Sequence, residues 1–470
     1  MKTKIQAQSF AVKTLRPLVG HAENTAELKD NPALPISPRL RVGGGEPFGS
    51  DQGKLSEPGE GRAAQRQGLS SRSKIAISWF SKIMKLHWGL FAMLLSSLLS
   101  FAALPGEAAQ ASPQANDLVY VGTYTQSQSR GIYVYRFNEH TGKITPLGLA
   151  AKTTNPSFLT ASPDGRYLYA INEVDTFKGQ KSGAVSAFAI DPKTGKLTLL
   201  NQVASRGAGP AYVATDKTGR YVLVANYNGG NVAVFPVRKD GGLGPASAFV
   251  QDKGHSVNPA RQSKPYAHSI NVSPDNRFAI AADLGLDKLL VYRFDRGSLA
   301  PNDPPYATVK PGSGPRHFIF SPDGKYMYVE SEMASSLTVF SYDAQRGALR
   351  PVQTVSSLPP DFRGKSTGAE VQALPSGRFL YASNRGSDSL AVFAINRRNG
   401  TLKPVEYVPA GGKTPRMFAI DPSSTYLFAA NQDSDNIVIF RINKATGKLT
   451  PTGQQIKLSS PVCVVFVKTR

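Results

Sequence analysis

Residues 314–332 read GPRHFIFSPDGKYMYVESE, and this stretch decides the fold. It predicts a β-hairpin: one strand from His317 to Ser321, a turn at Pro322-Asp323-Gly324-Lys325, and a second strand from Tyr326 to Glu332. Proline presets φ for such a bend, and Asp-Gly tolerates the positive φ that follows. In an antiparallel pair the start of one strand and the end of the next lie at the same edge. Arg316, His317 and Glu332 are therefore expected at one rim.

Working outward, the same hairpin recurs as SPDGRYLYAINE from Ser162, DKTGRYVLVANYN from Asp216, SPDNRFAIAADLG from Ser273, LPSGRFLYASNRG from Leu374 and DPSSTYLFAANQD from Asp421. A second unit follows each, an alternating strand, a turn and another strand, as in GAVSAFAIDPKTGKLTLL and DNIVIFRINKATGKLTPTG. Seven second units stand against six complete first units. The seventh first unit is split: LVYVGT at 118–123 matches its second strand, and SPVCVVFV at 460–467 matches its first. A period of roughly fifty residues with four short strands predicts an all-β, seven-bladed β-propeller of four-stranded blades. The N- and C-terminal strands share one blade, which closes the ring and removes an exposed sheet edge.

The chain has 470 residues and a formal net charge of +22. Its Lys and Arg residues are scattered over turns such as PKTGK and INRRNG, with no block of like charge. That pattern argues against nucleic acid as a partner and for a basic surface with an anion-binding pocket. Cys463 is the single cysteine, so no intramolecular disulfide forms. Residues 1–83 lack periodicity and are expected to be disordered or an upstream gene-start artefact, with translation beginning at Met84. Residues 84–111 follow the order of a secretory signal peptide: a positive start at Lys85, an apolar run from Trp88 to Leu104, then Ala109-Gln110-Ala111. The alternative for this segment is a single-span anchor. Residues 112–470 form the propeller, expected to be a periplasmic or secreted monomer with no stable membrane association after cleavage.

Candidate chemistry sits where the repeat breaks at the rim. Aligned on the turn, the first strands begin with Ser157, Ala211, His268, Arg316, Ala369 followed by Glu370, Arg416 and Val462. The second strands end with Thr123-Tyr124, Asn172-Glu173, Asn226-Tyr227, Asp283, Glu332, Asn384-Arg385 and Asn431-Gln432-Asp433. If the first strand lines the channel, these polar groups ring one mouth. His268, Arg316, Glu332 and Arg385 are the catalytic candidates; Tyr266, His317, Glu370, Asn384, Arg416 and Asn431 are candidates for substrate contact. There is no H-x-x-x-H, cysteine pair or EF-hand loop, so no metal is expected. No G-x-S-x-G elbow and no phosphate loop is present, so neither a serine nucleophile nor a cofactor is expected.

The strings KPYAHSINVSPDNRFAIAADLGLDK, GPRHFIFSPDGKYMYVESE, SGRFLYASNRGSDSLAVF and PRMFAIDPSSTYLFAANQDSDNIVIFRINKATGKL resemble the bacterial seven-bladed lactonase family. That family includes propeller-type 6-phosphogluconolactonase and is related to carboxy-cis,cis-muconate cyclase. The resemblance spans about residues 118–467. It implies a lactonase acting on a small sugar lactone, with His268, Arg316, Glu332 and Arg385 matching a His, an Arg, a Glu and a second Arg proposed for the cyclase. It further implies that His268 or Glu332 takes a proton from water, while Arg316 and Arg385 hold the oxyanion and the substrate's anionic group. Tyr266 stands where members often carry a histidine, which weakens the case for a phosphorylated substrate, and export points to an unphosphorylated aldonolactone. A cycloisomerase and a non-catalytic binding propeller are the alternatives.

Overall fold

The computed structural model describes residues 116–468. The upstream segment at residues 1–83, the expected signal peptide at residues 84–111 and residues 112–115 lie outside the described residues. Within them the chain forms seven four-stranded antiparallel sheets, each a meander, arranged as the blades of a β-propeller. The first strands of neighbouring blades touch one another around the ring and line its axis. In the founding hairpin, Pro315–Phe320 pairs with Tyr326–Ser331. Its turn is held by Ser321, whose hydroxyl donates to Asp323 (2.6 Å) and accepts from the Tyr326 amide (2.9 Å).

Ring closure follows the split repeat. Pro461–Lys468 pairs antiparallel with Asn116–Thr123, giving blade 1 an inner strand from one end of the chain and three outer strands from the other. Cys463 is wholly buried in that inner strand. Blades 2 to 7 then follow in chain order, their inner strands being Leu159–Ala161, Pro210–Thr215, Ala267–Val272, Pro315–Phe320, Thr367–Ala373 and Pro415–Ile420.

Alternation in each strand aims one set of side chains at the preceding blade and the other at the following one. Between blades 6 and 7 this buries Tyr381, Leu390, Val392, Phe418, Leu427 and Phe440 together. Each such aromatic or branched side chain contributes about 1.5–3 kcal/mol on burial. The interfaces are also pinned by hydrogen bonds. Tyr120, Tyr169 and Tyr381 each donate a hydroxyl proton to a glycine carbonyl in the outer turn of the next blade, at 3.0, 3.2 and 2.8 Å. One of these glycines, Gly447, has φ +78° and lies face-on to Phe379, so a side chain there would meet both backbone strain and the ring.

Candidate active site

The residues that broke the repeat share a backbone device. Where the inner strand enters the sheet, the ladder skips one residue. Ala267 pairs with Asp283 and Ser269 with Ala282, which leaves His268 as the bulged residue. The same slip isolates Ala211 in blade 3, Arg316 in blade 5, Arg416 in blade 7 and Val462 in blade 1. Blade 6 skips two residues, Ala369 and Glu370. A bulge bends its strand and re-aims the extra side chain. Here it does so at one end of the channel, so His268, Arg316 and Arg416 come from equivalent positions in three blades.

Glu332, just past the second strand of blade 5, is the hub. Its Oε2 accepts from Arg316 Nε (3.2 Å) and lies 2.9 Å from Arg385 Nη2 and 3.7 Å from His268 Nε2. Its Oε1 accepts from Arg261 Nη2 at 2.6 Å. The four residues matched to the cyclase are therefore brought together, with Arg261 added. Burial opposes ionisation of Glu332, yet Arg385, Arg316 and the Arg261 hydrogen bond hold its carboxyl well below the usual carboxylate range. Arg316 is 2 % exposed. Burial and the repulsion of Arg385 and Arg416 bring its pKa down to about 9. Its Nη1 donates to the Ala369 carbonyl at 2.6 Å, while Arg385 Nη2 also donates to the Gly368 carbonyl at 2.9 Å. Burial and the Arg316 charge keep His268 neutral, its pKa well below the ordinary histidine value. Its Nδ1 has no hydrogen-bond partner among the described residues.

His317 and Glu370 form a second pair beside this hub. His317 Nδ1 is 2.9 Å from Glu370 Oε2, and burial pushes the Glu370 carboxyl up to about 8, so that it can donate to the neutral ring. The His317 ring meets those of His268 (5.2 Å between centroids), Tyr212 (5.0 Å) and Phe158 (5.5 Å). Phe158 and Tyr212 are themselves 4.2 Å apart. Together these rings form one aromatic cluster beside the inner strands. Beyond them, a cavity of about 690 Å³ opens toward the Asp-Gly turn face, lined by Phe158, Tyr212, Glu370, Lys217, Pro274 and Pro322. Glu370 thus both pairs with His317 and lines this cavity.

Tyr266 sits at the mouth, 4.8 Å from the Tyr227 ring, which in turn meets His268 at 5.3 Å. Arg416 lies over Tyr124, its Cζ 5.5 Å from the ring centroid, and Tyr124 donates its hydroxyl to Glu173 at 2.9 Å. Asn384 and Asn431 are a different matter, because both are fully buried. Asn384 donates to the Ser357 carbonyl and accepts from its hydroxyl, both at 2.7 Å, and Asn431 donates to the Ala410 carbonyl at 3.1 Å. Asn172 and Asn226 do the same to Thr154 (2.6 Å) and Ser205 (2.9 Å). These asparagines clasp the end of one blade's outer strand to the next blade, so Asn384 and Asn431, expected as substrate contacts, are placed in buried hydrogen bonds between blades. Arg261 escaped the sequence reading because it lies on the non-repeating loop of residues 253–265. Its signal was only that this loop is the longest break in the repeat before an inner strand. The loop is fixed by Gln262, wholly buried, which donates to the Leu284 carbonyl at 2.8 Å.

A closed propeller whose bulged inner strands hold a neutral histidine among arginines and one ionised carboxylate is equipped for acid–base chemistry on a small anionic or polarised substrate. Residues 118–466 match the family model "Lactonase, 7-bladed beta-propeller". The chain belongs to that family. It is similar to a 6-phosphogluconolactonase of Bacillus subtilis strain 168, with 38% identity over 302 residues covering 64% of this chain and 84% of the relative. A 6-phosphogluconolactonase of Formosa agariphila is 35% identical over 310 residues, 64% and 86% of the two chains. Among solved structures, a periplasmic gluconolactonase of Pseudomonas aeruginosa superposes with a TM-score of 0.71 at 37% identity, covering 76% of this chain and all of that one.

Proposed function

We propose that this protein hydrolyses the cyclic ester of a sugar lactone. The observation that carries the proposal is a buried, neutral His268 with one nitrogen 3.7 Å from the ionised Glu332 in an arginine-lined mouth. Water attacks the lactone carbonyl carbon and gives a proton to His268, and the carbonyl π pair moves onto oxygen. The tetrahedral intermediate collapses by breaking the bond to the ring oxygen, which takes the proton back from His268. The new carboxylic acid ionises and releases one proton. Glu332 is assigned the task of orienting and stabilising imidazolium rather than acting as the base. Three guanidiniums share its charge, and a carboxylate so strongly stabilised is a weak proton acceptor.

The relatives' names support 6-phosphogluconolactonase-like chemistry. The signal-peptide pattern at residues 84–111 supports export, and with it an unphosphorylated aldonolactone in the periplasm or outside the cell. The name of the Pseudomonas aeruginosa structure favours the same compartment and substrate. The test is a chain beginning at Ser112, assayed with glucono-δ-lactone and with 6-phosphogluconolactone. Hydrolysis above the spontaneous rate is expected, faster with the unphosphorylated lactone. Binding of either lactone without turnover would replace the enzyme by a binding propeller. N-terminal sequencing of protein recovered from the native host is expected to begin at Ser112.

A further inference from the structure

Three of the four guanidiniums at the mouth are committed. Arg261, Arg316 and Arg385 converge on Glu332 within 3.2 Å, and two of them also donate to main-chain carbonyls. Arg416 stands apart. It occupies the bulge of blade 7 as Arg316 does that of blade 5, each following a proline. Its guanidinium rests on the Tyr124 ring, and among the described residues it makes no hydrogen bond and no ion pair. Burial works against its charge, but the field of Tyr124, Glu173 and Glu332 keeps the group protonated. A partly buried cation with its donors unspent is unfavourable in the resting protein. The lactone is neutral at its reacting carbon, whereas the tetrahedral intermediate and the product each gain a full negative charge there. A cation with no hydrogen bond or ion pair at rest gains most when that charge appears.

We propose that Arg416 is the group that receives the oxyanion and then the product carboxylate. The proposal rests on the lactonase reading. Attack of water forms the new C–O bond and places the displaced π pair on the oxygen facing Arg416. When the ring C–O bond breaks, that oxygen becomes part of the carboxylate and stays paired with the guanidinium. Arg316 and Arg385 set the position and charge of Glu332. Arg416 accelerates the chemical step, and the product aldonate is consequently an inhibitor.

The experiment compares the wild type with Arg416→Gln and Arg416→Lys, using glucono-δ-lactone as substrate and gluconate as inhibitor. Loss of one oxyanion donor typically costs about 10²–10³ in kcat. Arg416→Gln is expected to lose that much with KM within about threefold, and its Ki for gluconate should rise by about tenfold or more. Arg416→Lys should recover part of both. Because only the contact with the Tyr124 ring is lost, and no hydrogen bond or ion pair, the melting temperature of Arg416→Gln should fall by no more than a few degrees. A rise in KM with kcat held, or unchanged kinetics, would overturn the assignment. Should the wild type hydrolyse no lactone, the lactonase reading fails on its own. Calorimetric binding of gluconate to wild type and Arg416→Gln still decides the anion role: loss in the variant supports it, and equal binding refutes it.

Discussion

Replacing Glu332 by glutamine keeps the side chain's shape and removes the one charge that three arginines share. Arg261 is 42% exposed at the side chain, so its pair with Glu332 is screened and worth about 0–1 kcal/mol. Arg316 and Arg385 are not screened, their side chains being 2% and 14% exposed. Removing one partner of a buried pair leaves an uncompensated charge and costs about 3–5 kcal/mol. Glu332→Gln should therefore lose about that much stability at pH 7, read as a lower urea midpoint with an unchanged m-value. The pH dependence supplies a second check. Arg316 already titrates at about 9, and without Glu332 burial lowers its pKa further. A base whose folded pKa is depressed destabilises the fold while it is protonated in the unfolded chain, and that penalty shrinks as pH rises. The deficit of Glu332→Gln relative to wild type should narrow between pH 7 and 10. Adding Arg385→Met should cost less than the sum of the two single changes, because the second removes a charge that the first stranded. A loss below about 1 kcal/mol, additive with Arg385→Met, would refute Glu332 as the hub.

His268→Gln should reduce kcat by about 10²–10⁴ while leaving the melting temperature within a few degrees. Because burial and Arg316 depress the His268 pKa, the acid limb of the wild-type pH–rate profile should lie below the ordinary histidine range; a limb centred at or above it would remove His268 as the base. Glu370 and Asp252 are each pushed up to about 8, the first by burial and the second by burial and by Asp283. Such acids contribute stability that is full below the ordinary carboxylate range and is lost as pH rises toward 8. Melting temperature should fall from pH 5 to 9, and Glu370→Gln should flatten that slope, as differential scanning calorimetry would reveal. The Cys463 thiol is wholly buried and pushed up to about 12 by burial, so a disulfide reagent should label it only when blade 1 opens. Fast labelling in native buffer would contradict the closure of the ring by residues 461–468.

The blades were legible because each carries two independent signals, a period-2 apolar pattern and a turn with the chemistry a hairpin needs. The split seventh unit even located the closing strand. The site was half legible. Aligning on the turns picked out Ser157, Ala211, His268, Arg316, Ala369-Glu370, Arg416 and Val462, and all but Ser157, which precedes the short inner strand Leu159–Ala161, prove to be bulged residues. What the pattern could not convey was the bulge itself, since it is a property of pairing between strands. Polarity at the rim was also ambiguous. Asn384 and Asn431 share the strand-end position with Asn172 and Asn226, and their recurrence signals a clasp between blades. Arg261 had no repeat equivalent to be compared with, and only tertiary contact reveals it.

These observations also explain why the chemistry depends on a closed ring. Each blade supplies a group to the mouth: Tyr124 from blade 1, Glu173 from blade 2, Tyr227 from blade 3, His268 from blade 4, Arg316 and Glu332 from blade 5, Arg385 from blade 6 and Arg416 from blade 7. Their contacts run between blades. Tyr124 carries Arg416 and bonds Glu173, Arg261 reaches from the loop after blade 3 to Glu332 of blade 5, and Arg385 reaches the same carboxylate from blade 6. No subset of blades contains the site. The weak point of such a ring is the blade made from both chain ends, because it alone relies on strand pairing across the termini. Blade 1 is also where Tyr124 meets Arg416, so partial opening there would free the guanidinium assigned to the oxyanion while leaving His268, Arg316 and Glu332 in place. Mild denaturant should then lower kcat in step with the exposure of Cys463, before the remaining blades unfold. Activity that outlasts Cys463 labelling would show that closure and chemistry are independent.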